Sequence, residues 1–276
     1  MAHAAVAHIA GYRLGRLLGS GQHGTVHLAA QVATGQVVAL KLVSLPADDA
    51  EVRRQFLRQA ATALALKHPG IVALHAAGVQ GPLGWLAMEA VLGSDMQRYT
   101  APARLLPDPL VLRVGARLAE ALAHAHALGV VHRDIKPANV LVHWPGDIVK
   151  LADLGLARVA DAHATRTGLL LGSPAYMAPE QLAGAVPDAR SDFYALGVTL
   201  FQLLSGRLPF EGITLGELLR QVASCDAPNL RQMHPRLPTA VATLVARLLS
   251  RQPGQRAETA ATLARELHVA AQSLMR

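Results

Sequence analysis

The chain has 276 residues, and 26 Lys and Arg against 19 Asp and Glu give it a formal net charge of +7. Hydrophobic residues make up 51% of the sequence and aromatic residues only 4%, which excludes a disordered chain and leaves the core to small aliphatic side chains. The single cysteine, Cys225, excludes an internal disulfide and a cysteine-cluster zinc site, and we expect it to be a buried apolar side chain.

The apolar segments and the distribution of charge predict a cytoplasmic chain. The longest apolar helical stretch, residues 114–131, is interrupted by Arg117 and Glu120, so it does not predict a membrane segment. Residues 1–11 lack the cationic start and the long apolar segment of a secretory signal. The basic residues are dispersed and are not interleaved with aromatic residues, which argues against a nucleic-acid partner.

The first third of the chain has strand-like patterns and one helical pattern. β-Branched runs and turn residues predict strands at 12–18, 25–30, 36–43, 71–76 and 85–89. A helix is predicted over residues 47–66, with Asp48 and Asp49 at its start and His68-Pro69 beyond its end.

Helical periodicity dominates from Pro107 onward. The predicted helices are 110–128, 191–204, 215–223, 239–249 and 257–271. The sequence therefore predicts an α+β fold with two lobes. After an extension of residues 1–11, residues 12–91 form a small antiparallel sheet with one main helix, and residues 92–276 form a larger, mainly helical lobe.

Three glycines lie between the first two predicted strands, at Gly19, Gly21 and Gly24. Because glycine has no Cβ, the backbone N–H groups of such a turn can approach phosphate oxygens. A dinucleotide-binding turn has a similar pattern, but it opens a helix, and no helical pattern follows Gly24. Lys41 lies on the next predicted strand and would bring an ammonium group to the same phosphates.

A second polar cluster follows the helical pattern of residues 110–128. Asp134 can accept a hydrogen bond from a hydroxyl, Lys136 can screen phosphate charge, and Asn139 offers a neutral oxygen ligand for Mg²⁺. A polar loop capped by Asp and Asn is the structural alternative for any one of them. Asp153, at the end of another predicted strand, would add a second oxygen ligand.

These motifs, together with the segment 172–180 and Asp192, resemble in their order those of the eukaryotic-like protein kinases of the bacterial Ser/Thr type. The resemblance covers about residues 12–270. It implies a bilobal kinase fold that binds ATP in a cleft with Mg²⁺, for which Mn²⁺ can substitute. It also implies a protein substrate that carries serine or threonine.

The resemblance assigns roles to individual residues. Asp134 would be the catalytic base, Lys136 would contact the γ-phosphate and Lys41 the α- and β-phosphates, while Asn139 and Asp153 would bind Mg²⁺. The implied ATP-binding residues are Leu18, Gly19, Ser20, Gly21, Gly24, Val26, Ala39, Lys41, Met88, Glu89, Val91 and Leu141.

The resemblance also implies structural contacts in the larger lobe. Glu180 would form an ion pair with Arg256, and Asp192 would hold the backbone of the His132-Arg133 dipeptide. Histidine is abundant, at 13 residues, but His124 and His126 are two positions apart on a predicted helix and point to different faces. We therefore expect no histidine metal site.

Regulation and substrate preference leave weaker signals. Thr165 and Thr167 resemble a Thr-x-Thr pair that bacterial relatives carry, and Arg133 would pair with a phosphate on these threonines. Two unmodified, exposed threonines are the alternative. The position occupied by Ala138 is acidic in relatives that prefer arginine-rich substrates, so we expect no such preference here.

One departure from the family pattern bears on activity. The family pairs the strand lysine with a helix glutamate, and counting back from His68 places that position at Gln59. Residues 52–88 contain no Asp or Glu, and Glu51 lies roughly 12 Å further along the helix. The substitution predicts a slow or partner-assisted kinase. The alternatives are a nucleotide-binding pseudokinase that acts as a scaffold or allosteric partner and, less favoured, a small-molecule phosphotransferase.

The same predicted helix carries three arginines, at Arg53, Arg54 and Arg58. They form either a solvated cationic face or a docking surface for an acidic or phosphorylated protein. An activating partner that binds this helix is therefore one of the predicted partners, beside the protein substrate.

Overall fold

A computed structural model describes residues 8–21, 24–46, 49–153 and 174–275. Among these residues, the chain forms two compact units, the first ending at Leu92 and the second beginning at Gly93. No helix in the described ranges is long and apolar enough to span a membrane.

The first unit contains a six-stranded antiparallel sheet with the strand order β1-β2-β3-β4-β6-β5. Its strands are β1 (His8–Ile9), β2 (Tyr12–Gly21), β3 (Gly24–Gln31), β4 (Val37–Ser44), β5 (Leu74–Gln80) and β6 (Leu83–Glu89). The strand predicted at 71–76 begins later, because the N–H of Ile71 donates to the carbonyl of His68 in a turn, at 3.0 Å. It then runs on to the hairpin turn at Gly81, whose φ is +58°.

The helix of the first unit, α1, spans Ala50–Leu64. It begins three residues later than predicted because Asp49 has an extended backbone and its carboxylate accepts the N–H of Val52, at 2.9 Å. Its buried residues recur at helical spacing. They are Val52, Phe56, Ala60 and Ala63. The helix packs on β5 and β6, where a Cβ added at Gly84 would lie 2.9 Å from the ring of Phe56.

The second unit is mainly helical. Its helices are α2 (Asp108–Ala127), α3 (Pro179–Leu182), α4 (Ala189–Ser205), α5 (Leu215–Ser224), α6 (Leu230–Met233), α7 (Thr239–Leu248) and α8 (Ala260–Ser273). A small antiparallel sheet comprises β7 (Ser94–Asp95), β8 (Val140–His143) and β9 (Ile148–Leu151). α4 lies at the centre of the core, since every residue from 191 to 204 is buried, and it packs against α2 and α7.

The expectation for Cys225 is wrong, because its side chain is exposed. α5 ends at Ser224, and Cys225 is the C-cap residue with an extended backbone. The chain therefore leaves the helix at this point, and the thiol does not join the buried face formed by Leu218 and Val222.

Candidate active site

The glycine-rich segment forms the hairpin between β2 and β3. Gly21 pairs with Gly24 at its tip, and Gln22 and His23 lie outside the described residues. Gly24 has a φ of +113°, and a Cβ there would lie 1.9 Å from the carbonyl oxygen of Leu42, so the backbone requires glycine. A Cβ at Gly19 or Gly21 would meet no described atom within 4 Å. Packing does not require glycine at those two positions, which leaves their backbone accessible to a ligand.

The sheet register places several predicted ATP-binding residues in two adjacent rows. Gly19 pairs with Val26, and Val26 pairs with Lys41. In the adjacent row, two residues away along β4, Ala39 pairs with Met88. Directly paired residues share a face of the sheet, and positions two apart on β4, such as Ala39 and Lys41, also share a face. Val26, Ala39, Lys41 and Met88 therefore lie on one face of the first unit, and the Lys41 side chain is buried.

The other predicted ATP-binding residues lie elsewhere in the two units. Leu18 lies in a β-bulge and is 42% exposed, and Ser20 pairs with Thr25. Glu89 ends β6, where its N–H donates to the carbonyl of Ala73, at 2.8 Å, and Val91 follows as a half-buried residue. In the second unit, Leu141 lies on β8 opposite Lys150 and Asp95.

Helix α1 carries Gln59 as a half-buried residue beside the buried Ala60. Glu51, the nearest acidic residue on the helix, is exposed and forms ion pairs with Arg54 and Arg58, at 2.6 and 2.7 Å. Hydrogen bonds from these two guanidinium groups lower the pKa of Glu51. The Glu51 carboxylate therefore forms ion pairs within the exposed surface of α1. The contact between Gln59 and Lys41 stays a prediction.

The loop before β8 brings Asp134, Lys136 and Asn139 together. Lys136 Nζ lies 2.8 Å from Asp134 Oδ2, and Asn139 Nδ2 donates to the same oxygen at 2.8 Å and to the Asp134 carbonyl at 2.7 Å. Burial by itself raises the pKa of Asp134, but the charge and hydrogen bond of Lys136 and the amide of Asn139 outweigh it and lower the pKa. The carboxylate is therefore ionised at neutral pH and held in one orientation.

Asp192, on α4, fixes the backbone of this loop. It is fully buried, and its oxygens accept the backbone N–H groups of His132 and Arg133, each at 2.8 Å. Arg133 has a φ of +68°, a conformation that costs a non-glycine residue on the order of 1–2 kcal/mol. The hydrogen bond from its N–H helps to offset that cost.

His126 is a residue of this network that the sequence did not reveal. Its Nε2 lies 2.8 Å from Asp192 Oδ2, and its ring packs near Phe193 with 5.7 Å between the centroids. The expectation that His124 and His126 form no metal site does not conflict with this role. The only signal in the sequence was the position of His126 on the helix that leads into the loop.

Glu180 and Arg256 form a buried ion pair. Arg256 Nη1 and Nη2 lie 2.7 and 2.9 Å from the two carboxylate oxygens of Glu180, and the guanidinium also donates to the carbonyls of Ser250 and Arg190. Burial raises the pKa of Glu180, but the hydrogen bonds from Arg256 lead the effects that lower it overall. Arg256 also lies over the ring of Tyr194, at 5.0 Å from its centroid.

Asp153 follows β9 with a φ of +64°, and the preceding Ala152 donates its N–H to the carbonyl of Asn139, at 2.8 Å. Two other predictions fall on residues outside the described ranges. They are the regulatory threonines Thr165 and Thr167 and the start of the segment 172–180.

The loop of Asp134, Lys136 and Asn139 and the glycine-rich hairpin between β2 and β3 are features of the protein kinase domain. Residues 12–267 match the family model for the protein kinase domain, and the chain belongs to this family. Its fold is also similar to the crystal structure of Rad53 1-466 in complex with AMP-PNP, with a TM-score of 0.77 and 24% identity over 95% of this chain and 65% of that one. The predicted α+β, kinase-like fold is confirmed.

Among characterised relatives, the chain is similar to the serine/threonine-protein kinase PrkC of Bacillus subtilis, with 33% identity over 94% of this chain and 40% of PrkC. It is 38% identical to the DNA damage-responsive serine/threonine-protein kinase RqkA of Deinococcus radiodurans, over 92% of this chain and 38% of RqkA. It is also 38% identical to PknJ of Mycobacterium tuberculosis, over 96% of this chain and 46% of PknJ. The chain thus spans less than half the length of these relatives.

Proposed function

We propose that this chain is the catalytic domain of a kinase that transfers the γ-phosphate of ATP to serine or threonine hydroxyls of proteins. The observation that carries the proposal is the cluster in which Lys136 and Asn139 each lie 2.8 Å from Asp134 Oδ2. It gathers in one loop an acceptor for a hydroxyl, a cation for a phosphate and an oxygen ligand for a metal. Family membership and the names of the relatives support the same activity.

Asp134 acts on the substrate hydroxyl. As an ionised carboxylate, it accepts the hydroxyl hydrogen bond and orients the oxygen toward the γ-phosphorus. The new oxygen–phosphorus bond forms as the bond to the ADP oxygen breaks, and the hydroxyl proton passes to Asp134 and then to solvent. Because the transition state of phosphoryl transfer is loose, orientation matters more than base strength, which suits a carboxylate of lowered pKa. Lys136 balances charge on the γ-phosphate.

The family implies ATP and a divalent cation, and the residues fit Mg²⁺. Both N–H bonds of the Asn139 amide point to Asp134, which leaves its oxygen as the ligand atom, and Asp153 supplies a carboxylate. No group of three or more His, Cys, Asp and Glu residues gathers within the described ranges. Mg²⁺ commonly binds through one or two protein oxygens plus substrate phosphates, and Mn²⁺ accepts the same ligands. The bound cation would neutralise phosphate charge.

The first unit would hold the nucleotide. The accessible backbone at Gly19 and Gly21 would contact the phosphates, and Lys41 would bind the α- and β-phosphates. Val26, Ala39 and Met88 share the face of the sheet that carries Lys41 and would contact the adenine ring.

Gln59 would make this kinase slow rather than inactive. Its amide oxygen can accept a hydrogen bond from Lys41, but it supplies no opposite charge. The Lys41 ammonium is charged with either partner, so both bonds belong to the class worth roughly 1.5–3 kcal/mol. Loss of the second charge therefore costs about 1–2 kcal/mol, close to the width of that range. A deficit of that size in the transition state lowers the rate roughly 5- to 30-fold. A protein that clamps α1, docking on Arg54 and Arg58, would restore part of it.

Phosphorylation of Thr165 or Thr167 remains part of the proposal. A phosphothreonine carries about two negative charges, with which Arg133 can pair. Mass spectrometry after incubation with ATP is expected to find phosphate on this pair, and Thr165→Ala with Thr167→Ala is expected to lower activity. Full activity of that double variant would contradict a regulatory role.

A pseudokinase is the second candidate function, because Gln59 removes the family's helix glutamate. The test is transfer of labelled phosphate from ATP to a generic protein substrate in the presence of Mg²⁺. We expect slow transfer that Asp134→Asn abolishes. Asp147→Asn is the matched control, because Asp147 is an exposed aspartate of the same unit whose left-handed backbone asparagine also tolerates.

Three results would decide between the candidates. Transfer by the parent and the Asp147→Asn variant but not by Asp134→Asn supports the kinase. A rise in melting temperature with Mg²⁺-ATP, without transfer by any form, moves the chain to the pseudokinase class. Equal transfer by the parent and Asp134→Asn would show that the assigned loop does not perform the reaction.

A further inference from the structure

Two adjoining cavities form a groove in the second unit, between α7 and residues 223–231. The larger has a volume of about 720 Å³ and the smaller about 320 Å³, and Ala227 and Ala246 line both. α7 contributes residues three or four positions apart, which lie on one face of the helix. They are Thr239, Ala242, Thr243, Ala246 and Arg247. We call this cleft the α7 groove.

The α7 groove is open because alanines line it from both sides. Ala242 and Ala246 come from the helix, and Ala223 and Ala227 come from the facing segment. From Thr239 to Arg247 the helix axis advances roughly 12 Å. An extended peptide rises about 3.3 Å per residue, so the groove matches about four residues of extended chain.

Arginines stand at both ends of the groove. Arg231 lines the smaller cavity, and Arg247 and Arg251 line the larger one. Asp226 is the one acidic residue among the lining residues that the structure describes. Glu266, outside the lining, forms an ion pair with Arg247, so Arg231 and Arg251 are the cations through which the groove attracts an anionic ligand. None of these lining residues is aromatic, so the groove lacks the stacking platform that single-stranded nucleic acids need.

The arginine contacts leave donors for a ligand. A guanidinium has five N–H groups, and this contact of Arg231 uses one of them, from Nη1 to Thr239 Oγ1 at 3.1 Å. Arg251 Nη2 lies 3.0 Å from Asp226 Oδ1, in a pair whose side chains are 44% and 91% exposed. Exposed ion pairs contribute little to stability, so another carboxylate can displace Asp226 readily. The contact with Asp226 thereby shows that Arg251 can bind a carboxylate.

We propose that the α7 groove binds an acidic, extended segment of a partner protein. Two carboxylates three or four positions apart, about 10–13 Å in an extended chain, contact Arg231 at one end and Arg251 at the other. The alanine floor admits the peptide backbone between them. This surface uses no residue assigned to phosphoryl transfer, so it recruits a partner independently of the reaction.

The test measures the fluorescence anisotropy of a short labelled peptide that carries two glutamates three positions apart. The reference peptide carries glutamines instead. We expect Arg231→Glu and Arg251→Glu each to weaken binding of the acidic peptide about tenfold, equivalent to about 1.4 kcal/mol. Asp226→Asn removes the internal competitor and is expected to strengthen binding several-fold. No ATP is added, so the result does not depend on phosphoryl transfer.

Arg265→Glu is the matched control variant. Arg265 is an exposed arginine of the same unit that also donates to a threonine, with Nη2 at 3.2 Å from Thr262 Oγ1, but it lines neither cavity. Unchanged binding by this variant supports the proposal. The proposal is overturned if the glutamine peptide binds equally well, if Arg265→Glu weakens binding as much, or if no peptide binds. Tighter binding of an oligonucleotide through the same arginines, or dimerisation of the chain through the groove, would also overturn it.

Discussion

Replacing Glu180 by glutamine tests whether the buried ion pair with Arg256 stabilises the second unit. The Arg256 side chain has no exposed area, and Glu180 is 17% exposed. The glutamine keeps one acceptor oxygen but loses the negative charge. The buried guanidinium of Arg256 then has neutral hydrogen-bond acceptors and no opposite charge beside it. Breaking a buried ion pair from one side costs about 3–5 kcal/mol. We expect a loss near 3 kcal/mol, because the carbonyls of Ser250 and Arg190 still accept hydrogen bonds.

The measurement is urea denaturation followed by tryptophan fluorescence. The chain has two tryptophans, with Trp85 in the first unit and Trp144 in the second. In a Trp85→Phe background, Trp144 reports on the unit that contains the ion pair. Glu266→Gln is the matched control, since its partner Arg247 is 39% exposed and such pairs are worth about 0–1 kcal/mol.

The pH dependence supplies a second readout. The folded pKa of Glu180 lies below its ordinary value of 4.5, so its contribution to stability is complete above that pH and is lost as the pH falls through the folded pKa. The difference in unfolding free energy between the parent and Glu180→Gln is therefore expected to shrink on acidification below pH 4.5. The reasoning would be refuted if Glu180→Gln lowered the unfolding free energy by under about 1 kcal/mol, as Glu266→Gln does. It would also be refuted if the difference between the parent and Glu180→Gln did not change with pH.

Three further substitutions have defined outcomes. Gln59→Glu is expected to raise kcat/KM for ATP roughly 5- to 30-fold, while Gln55→Glu, one turn earlier on α1, leaves it unchanged. Equal kcat/KM values for Gln59→Glu and the parent would contradict the predicted charge deficit. Gly24→Ala is expected to lower the melting temperature strongly, because its Cβ would overlap a β4 carbonyl, whereas Gly21→Ala meets no described atom; equal melting temperatures would show that the hairpin relaxes freely. Tyr194→Phe removes a buried hydroxyl that has no hydrogen-bond partner among the described residues, so we expect a melting temperature equal to or above that of the parent. A clear fall would reveal a partner for the hydroxyl.

Local patterns predicted most of the elements, because burial of one face imposes a period on the sequence. The β-branched run at 36–43 corresponds to β4, and the periodic segments at 215–223 and 239–249 correspond to α5 and α7 within one residue at either end. The boundaries that differ depend on individual hydrogen bonds. Asp49 delays α1, and the turn from His68 to Ile71 delays β5.

The sequence also determined the family and the loop of Asp134, Lys136 and Asn139, since these residues lie within six positions and reach one another through local backbone geometry. Tertiary structure decided what holds that loop. His126 and the loop meet at Asp192, which is 66 positions away from the histidine, and Arg256 finds Glu180 across 76 positions. It also decided that Cys225 is exposed and that alanines of two separate segments line one groove. Periodicity and spacing act over a few turns of chain, whereas such contacts depend on how helices pack in three dimensions.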